Sequence, residues 1–92
     1  MYTECTYNLT MRFSWASGKA ASNRLKHGVD FADAAIALED ENALTVEDHG
    51  HDEQRFKTLG LDPVLRVLLV VHAQRGEDCI RIISARKADR SE

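Results

Sequence analysis

Between Gly28 and Glu53 the chain has no lysine or arginine, although the same stretch carries nine Asp and Glu residues. Other absences narrow the reading further. No apolar run exceeds five residues, as in Val67 to Val71, far too short to cross a bilayer as a helix. Cys5 and Cys79 form no CxxC pair, so they make no metal site and are expected as free thiols. The opening MYTECTYNLT lacks a basic segment followed by a continuous apolar one, which predicts a chain that stays in the cytosol. No repeat or low-complexity segment divides the 92 residues, enough for one small domain.

What is present is polarised. Net charge is −3, yet residues 1 to 27 hold four Lys/Arg and one acid, and residues 54 to 92 hold eight Lys/Arg and five acids. A basic surface can therefore meet phosphate while an acidic one keeps the protein soluble or meets a basic partner. SGKAASNRLKHG reads as a helix with Ser17 as N-cap, Ala21 and Leu25 one turn apart on its apolar side, and Gly28 as its stop. DFADAAIALED repeats the pattern, with Asp30 capping, Asp33 following and an Ala34, Ala35, Leu38 stripe. ALTVED and QRFKTLGL alternate around a polar loop, and VLRVLLVVHA and CIRIISAR flank the turn-like RGED, so two hairpins follow, separated by Asp62 and Pro63. The expected fold is α+β, a small antiparallel sheet with two N-terminal helices packed on one face. Trp15, Phe31 and Phe13 are expected in its core.

NRLKHGVDFADAA, EQRF with Gly60, VVH and above all the terminal IRIISARKA resemble the BrnT family of bacterial type II toxins, over residues 11 to 90. The resemblance implies a RelE-like ribonuclease fold, inhibition of translation by RNA cleavage, and a BrnA-type antitoxin that neutralises the toxin and carries it to operator DNA. Members typically begin near a sequence like the MRFSW at Met11, so residues 1 to 10 are expected as an extension and residues 11 to 92 as the toxin-like domain. Ala16 stands where the family usually has Asp, which passes the helix cap to Ser17. The family usually continues into a charged C-terminal helix, for which Asp89 and Glu92 would form a capping pair; this chain stops at Glu92.

Strand parity then places the site. Leu65, Val67, Leu69, Val71 and Ala73 form one apolar row and are expected against the helices; Arg66, Leu68, Val70 and His72 form the other. If Gly76 and Glu77 sit at the hairpin tip, His72 lies opposite Arg81, and Arg55 and Lys57 join them when Phe56 is in the core. Arg66 is a fifth candidate. Arg86, five positions beyond Arg81, falls on the opposite side of a regular strand, near its end. A loop one residue longer or shorter pairs His72 with Ile82 instead and puts Ser84 and Arg86 on its face.

RNA cleavage without metal or cofactor needs a base for the ribose 2′-OH, cations for the phosphate, and an acid or water for the leaving oxygen. His72 is the first candidate base, its neutral form favoured by nearby arginines, and Glu53 is the alternative. Arg81 and Arg55 suit a phosphate through the guanidinium fork, with Lys57, Arg66, Arg86 and Ser84 completing the substrate-binding set. His27 fits the helix dipole, and His49 and His51 with Asp48 and Asp52 sit in a loop with no preorganised metal geometry. Two functions stay open: an endoribonuclease toxin, or a catalytically weak member that mainly binds an antitoxin and co-regulates its operon.

Overall fold

The computed structural model describes the backbone of residues 2 to 6 and the whole of residues 12 to 89. The expectations that touch Met11 and Glu92 lie outside the described residues. In chain order the elements are β1 Tyr2–Thr6, β2 Arg12–Ala16, α1 Ser17–His27, α2 Phe31–Leu38, β3 Leu44–Asp48, β4 Arg55–Leu61, β5 Val67–Gln74 and β6 Cys79–Lys87. They build one six-stranded sheet in the order β1-β2-β6-β5-β4-β3.

The sheet is mixed, which corrects the purely antiparallel expectation. β3 to β6 form an antiparallel meander, but β2 lies parallel to β6, with Phe13 beside Ile80 and Ser14 beside Arg81. The reason is topological. Two helices separate β2 from β3 and carry the chain across the sheet to its far edge, so β2 is left to flank the last strand in the same direction.

Both helix stops follow local chemistry, but their caps and faces differ from expectation. α1 ends at Gly28, whose φ of 71° suits glycine and whose N–H reaches the Arg24 carbonyl at 2.8 Å. Its N-cap is Ala16, not Ser17, and no side chain caps it. Asp30 precedes α2 without a side-chain cap bond and instead meets Arg24 at 3.5 Å. Leu25 is 90% exposed, so the expected Ala21–Leu25 side is not the inner one. The buried residue of α1 is Asn23. Its Nδ2 donates to the Ala85 carbonyl at 2.7 Å and the Val29 carbonyl at 3.2 Å, and its Oδ1 accepts from the Ala85 N–H at 3.1 Å. The amide thus stands in for a strand where β2 no longer runs beside β6.

Phe13, Val29, Phe31, Ala34, Ala35 and Ala37 share one core cluster with Leu68, Val70, Ile82 and Ala85. Trp15 meets Phe31 edge to face, ring centroids 6.0 Å apart. At Gly60 the helix comes so close that an added Cβ would lie 2.1 Å from the Ala37 carbonyl oxygen. Small residues on α2 and a glycine on β4 are therefore one packing solution.

The core also reverses the expected parity of β5. Leu68 and Val70 are fully buried with the helices, whereas Val67 is 47% exposed and Leu69 and Val71 are half-buried on the other face. Periodicity is ambiguous in Val67–Val71 because both rows are apolar. The turn before β5 decides it. Asp62 is buried and accepts from the N–H groups of Val64 and Arg66 and from Arg66 Nε, the last at 2.6 Å, while Leu65 sits at φ 67° outside the strand.

Candidate active site on the open sheet face

On the sheet face away from the core, one carboxylate meets three guanidinium groups. Glu53, at the end of the β3–β4 loop, hydrogen-bonds Arg81 of β6 through Oε1, takes Arg75 Nη2 on Oε2 at 2.9 Å, and has Arg55 Nε at 3.5 Å. The four come from a loop, β4, the β5–β6 turn and β6, so only the folded sheet assembles them. Arg81 is 16% exposed and Glu53 32%, so the group is partly shielded yet reachable from solvent.

The cluster continues outward. His51 accepts from Arg55 Nη1 on Nδ1 at 3.4 Å and donates from Nε2 to Asp48 at 3.1 Å, one tautomer satisfying both contacts. Lys57 lies 3.8 Å from the same Asp48. A chain of polar contacts thus runs from Asp48 through His51 and Arg55 to Glu53, holding the Arg55 fork in place.

His72 is not part of this group. The hairpin loop is one residue longer than expected: Ala73, not His72, faces Arg81, and His72 pairs with Ile82. His72 points into the helix side, 8% exposed, with Nε2 2.8 Å from the Thr58 hydroxyl and its ring stacked on Phe56 at 5.8 Å. Burial pushes its pKa down to about 4. The grouping of His72 with Arg81 is therefore corrected, and the longer-loop register is the one adopted.

That register also moves Arg86 and Ser84. Val71 pairs with Ser84 but His72 pairs with Ile82, leaving Ile83 as an extra residue in β6. Such a bulge resets parity. Arg86, opposite Leu69, and Ser84, opposite Val71, come onto the same face as Arg81, opposite Ala73. The odd spacing between the two arginines is compensated by the bulge.

Arg66 is the other displaced candidate. It binds Asp62 at 2.6 Å and reaches Asp33 of α2 at 3.6 Å, tying the β4–β5 turn to the helix at the far end of β5. Burial alone would raise the Asp62 pKa, but the bonds from Arg66 and Val64 bring it below the usual carboxylate value.

Sequence reasoning missed Arg75, which lay in a segment read only as a turn, and it set His51 aside. No spacing rule connects Glu53, Arg75 and Arg81; their polar character in two adjoining hairpins was the available signal. It also missed a hollow of about 290 Å³ between α1 and the bulge, lined by Lys19, Ser22, Asn23, Lys26, His27, Ile83 and Ser84. Lys19 and Lys26 lie two turns apart on one side of α1, and the lining includes no carboxylate.

Comparisons with known proteins bear on the family and on the fold. A model of the family described as ribonuclease toxin, BrnT, of type II toxin–antitoxin system matches residues 15–92. The chain is also similar to the crystal structure of the Brucella abortus ribonuclease toxin BrnT, at 26% identity and a TM-score of 0.61, over 83% of this chain and 94% of that one. No curated protein sequence matches significantly. Among the described residues, no helix is long and apolar enough to cross a membrane. With a family match over most of its length and a toxin of that family sharing its fold, the chain belongs to the BrnT family of ribonuclease toxins of type II toxin–antitoxin systems.

Proposed function

We propose that the chain is a metal-independent endoribonuclease whose centre is Glu53 with Arg55, Arg75 and Arg81, and that it inhibits translation by cutting RNA in the cytosol. The observation that carries this is the single carboxylate bracketed by three guanidinium groups on an accessible face. An RNA phosphate entering the cluster takes over the arginine donors that Glu53 now occupies. Glu53, freed at the position of the ribose, accepts the 2′-OH proton as the 2′-oxygen attacks phosphorus. The P–O5′ bond breaks, leaving a 2′,3′-cyclic phosphate, and water protonates the departing 5′-oxygen. Negative charge accumulating on the phosphorane is met by Arg81 and Arg55, donors already fixed by their neighbours. Lys57, Arg86 and Ser84 share the face and suit the flanking backbone. His72 and Arg66 take structural roles in this reading.

A type II toxin works opposite an antitoxin. Here a BrnA-type partner would bring acidic groups to Arg55, Lys57 and Arg81, because burying several cations without counter-charges is costly. Operator DNA would be reached only through that partner. The second reading, a weakly catalytic antitoxin-binding module, draws on the exposed apolar residues that share the open face.

The test compares Glu53→Gln and Arg81→Ala with the parent chain in an RNA cleavage assay with end-group analysis of the products. Each variant should lose roughly 10²- to 10³-fold in rate while keeping the parent's melting temperature within a few degrees and still binding antitoxin. Cleavage by Glu53→Gln at the parent rate would remove Glu53 as the base. A parent chain that neither cuts RNA nor arrests growth would leave the binding-module reading in its place.

A further inference from the structure

We infer that the apolar half of the open face is the antitoxin's seat, and that it receives an amphipathic segment carrying acidic residues along the side toward the arginine cluster. This rests on the antitoxin partnership and extends it to a surface that catalysis does not use. Val46 is 60% exposed and Leu44 69%, on the edge strand β3. Leu44, Val46, Lys57, Leu59 and Leu69 line a hollow of about 300 Å³, and Leu44 and Leu59 also border a second of about 320 Å³ reaching Leu61 and Val67. Together they form a trough across β3, β4 and β5 whose walls are apolar except for Lys57 in the first hollow and Asp40 and Asn42 in the second.

The trough ends at a turn built to display apolar side chains. Val64 and Leu65 are 70% and 77% exposed, at the tip that Asp62 locks through three hydrogen bonds. Leu65 holds φ 67° there, a backbone region that a leucine adopts only where its surroundings impose it. A turn this well fixed, with two large apolar groups left in water, is explained by a partner that covers them.

RNA is a poor occupant, since phosphates gain nothing from leucine and valine walls. A second copy of this chain is also disfavoured, because apposing two such faces sets cation against cation. The cross-strand pair Val46 and Lys57 marks the border where trough meets cations. A partner with apolar side chains in the trough and carboxylates over Lys57, Arg55 and Arg81 satisfies both halves, and in doing so covers Glu53.

The experiment uses the full chain with its cognate antitoxin and measures affinity, free-toxin RNA cleavage and sedimentation for Val46→Glu, Val46→Lys and Val64→Glu. All three positions are exposed, so melting temperatures should hold. Antitoxin affinity should fall by about 30-fold or more for Val46→Glu, and by clearly less for Val46→Lys, which offers a new positive group to an acidic segment. Val64→Glu should also weaken binding, and RNA cleavage by the free variants should stay within about twofold of the parent. Unchanged antitoxin affinity would overturn the inference, whether RNA cleavage falls instead, which would assign the trough to substrate, or a parent dimer dissociates, which would assign it to a second copy. Equal losses for Val46→Glu and Val46→Lys would overturn the acidic character of the partner. If the parent cuts no RNA, the binding readouts still decide this inference, so its failure and that of the nuclease reading are separable.

Discussion

The two faces of the sheet use polar residues in opposite ways. On the helix side His72, Thr58 and Asn23 are buried and neutral, each matched to a hydrogen-bonding partner: Thr58 joins His72 at 2.8 Å and Thr45 at 2.7 Å, and Asn23 satisfies both backbone groups of Ala85. On the open side Glu53, Arg55, Arg75 and Arg81 are charged, with three cations around one carboxylate. A closed hydrogen-bond set stabilises a core and has nothing left to offer a substrate. A cationic excess on an accessible face suits an incoming anion.

The sharpest way to break the helix side is at its closest approach. Gly60→Ala places a methyl group against the Ala37 backbone, which cannot move aside as a flexible side chain would. The expected loss is about 3 kcal/mol or more by denaturant unfolding, through overpacking of β4 against α2. A loss below about 1 kcal/mol would mean that helix and sheet are not locked together there.

The second effect is nearly as large and appears only in acid. His72 has a folded pKa of about 4 and an ordinary value of 6.5 when exposed. Between these values the unfolded chain binds the proton more readily, so stability is full above pH 6.5, falls as pH drops toward 4, and is flat in this contribution below that. The total is about 3 kcal/mol. Asp62 and Asp40, both held below the usual carboxylate value of 3.8, lose their contributions only at lower pH. Chemical denaturation across pH 4 to 7 should therefore show a slope that His72→Gln removes. A slope that survives the substitution would place the titrating group elsewhere.

These two sites also show how much was legible beforehand. KHG with Gly28 as its stop, the FADAA segment and the paired hairpins were readable because each rests on local chemistry: a left-handed glycine, a small-residue helix face, alternating strands. The Arg55, Arg81 and Glu53 group was readable as a set of candidates, since Phe56 on the helix side, stacked on His72, sends Arg55 and Lys57 to the open face. Three things were not legible. Val67–Val71 is apolar on both faces, so its inward row was settled by the Asp62 turn, a tertiary feature. The tip of the β5–β6 hairpin differed by one residue, enough to separate His72 from Arg81. The bulge at Ile83 has no marker in the residues, yet it brings Arg86 to the side of Arg81.

A smaller effect concerns the hollow between α1 and the bulge. If Lys19 and Lys26 guide RNA past the bulge, the double variant Lys19→Glu, Lys26→Glu should weaken RNA binding by about tenfold at moderate salt and flatten its salt dependence by about two counter-ions. Cleavage of a dinucleotide too short to reach α1 should stay at the parent rate. Equal losses on long and short substrates would tie the lysines to the centre itself. Unchanged binding would leave the hollow outside the RNA path.

The smallest expected effect concerns the sheet edge farthest from β3. Residues 1 to 10 were expected as an extension, and the family match begins only at residue 15. Yet β1 pairs with β2 along its whole length, from Tyr2 beside Ala16 to Thr6 beside Arg12. Deleting the ten residues exposes the outer backbone edge of β2 but leaves Phe13 buried by α2, β5 and β6. The cost should be about 1 kcal/mol, a fall in melting temperature of about 4 to 8 °C for a domain of this size. RNA cleavage should be unchanged, because Glu53, Arg55 and Arg75 lie beyond β6 from this edge and Arg81 is held by Glu53. A cleavage loss larger than the stability loss explains would show that β1 supports the site through Ser14, the β2 neighbour of Arg81. No change in melting temperature would make β1 an ornament of the edge, with β2 sufficient to close the sheet.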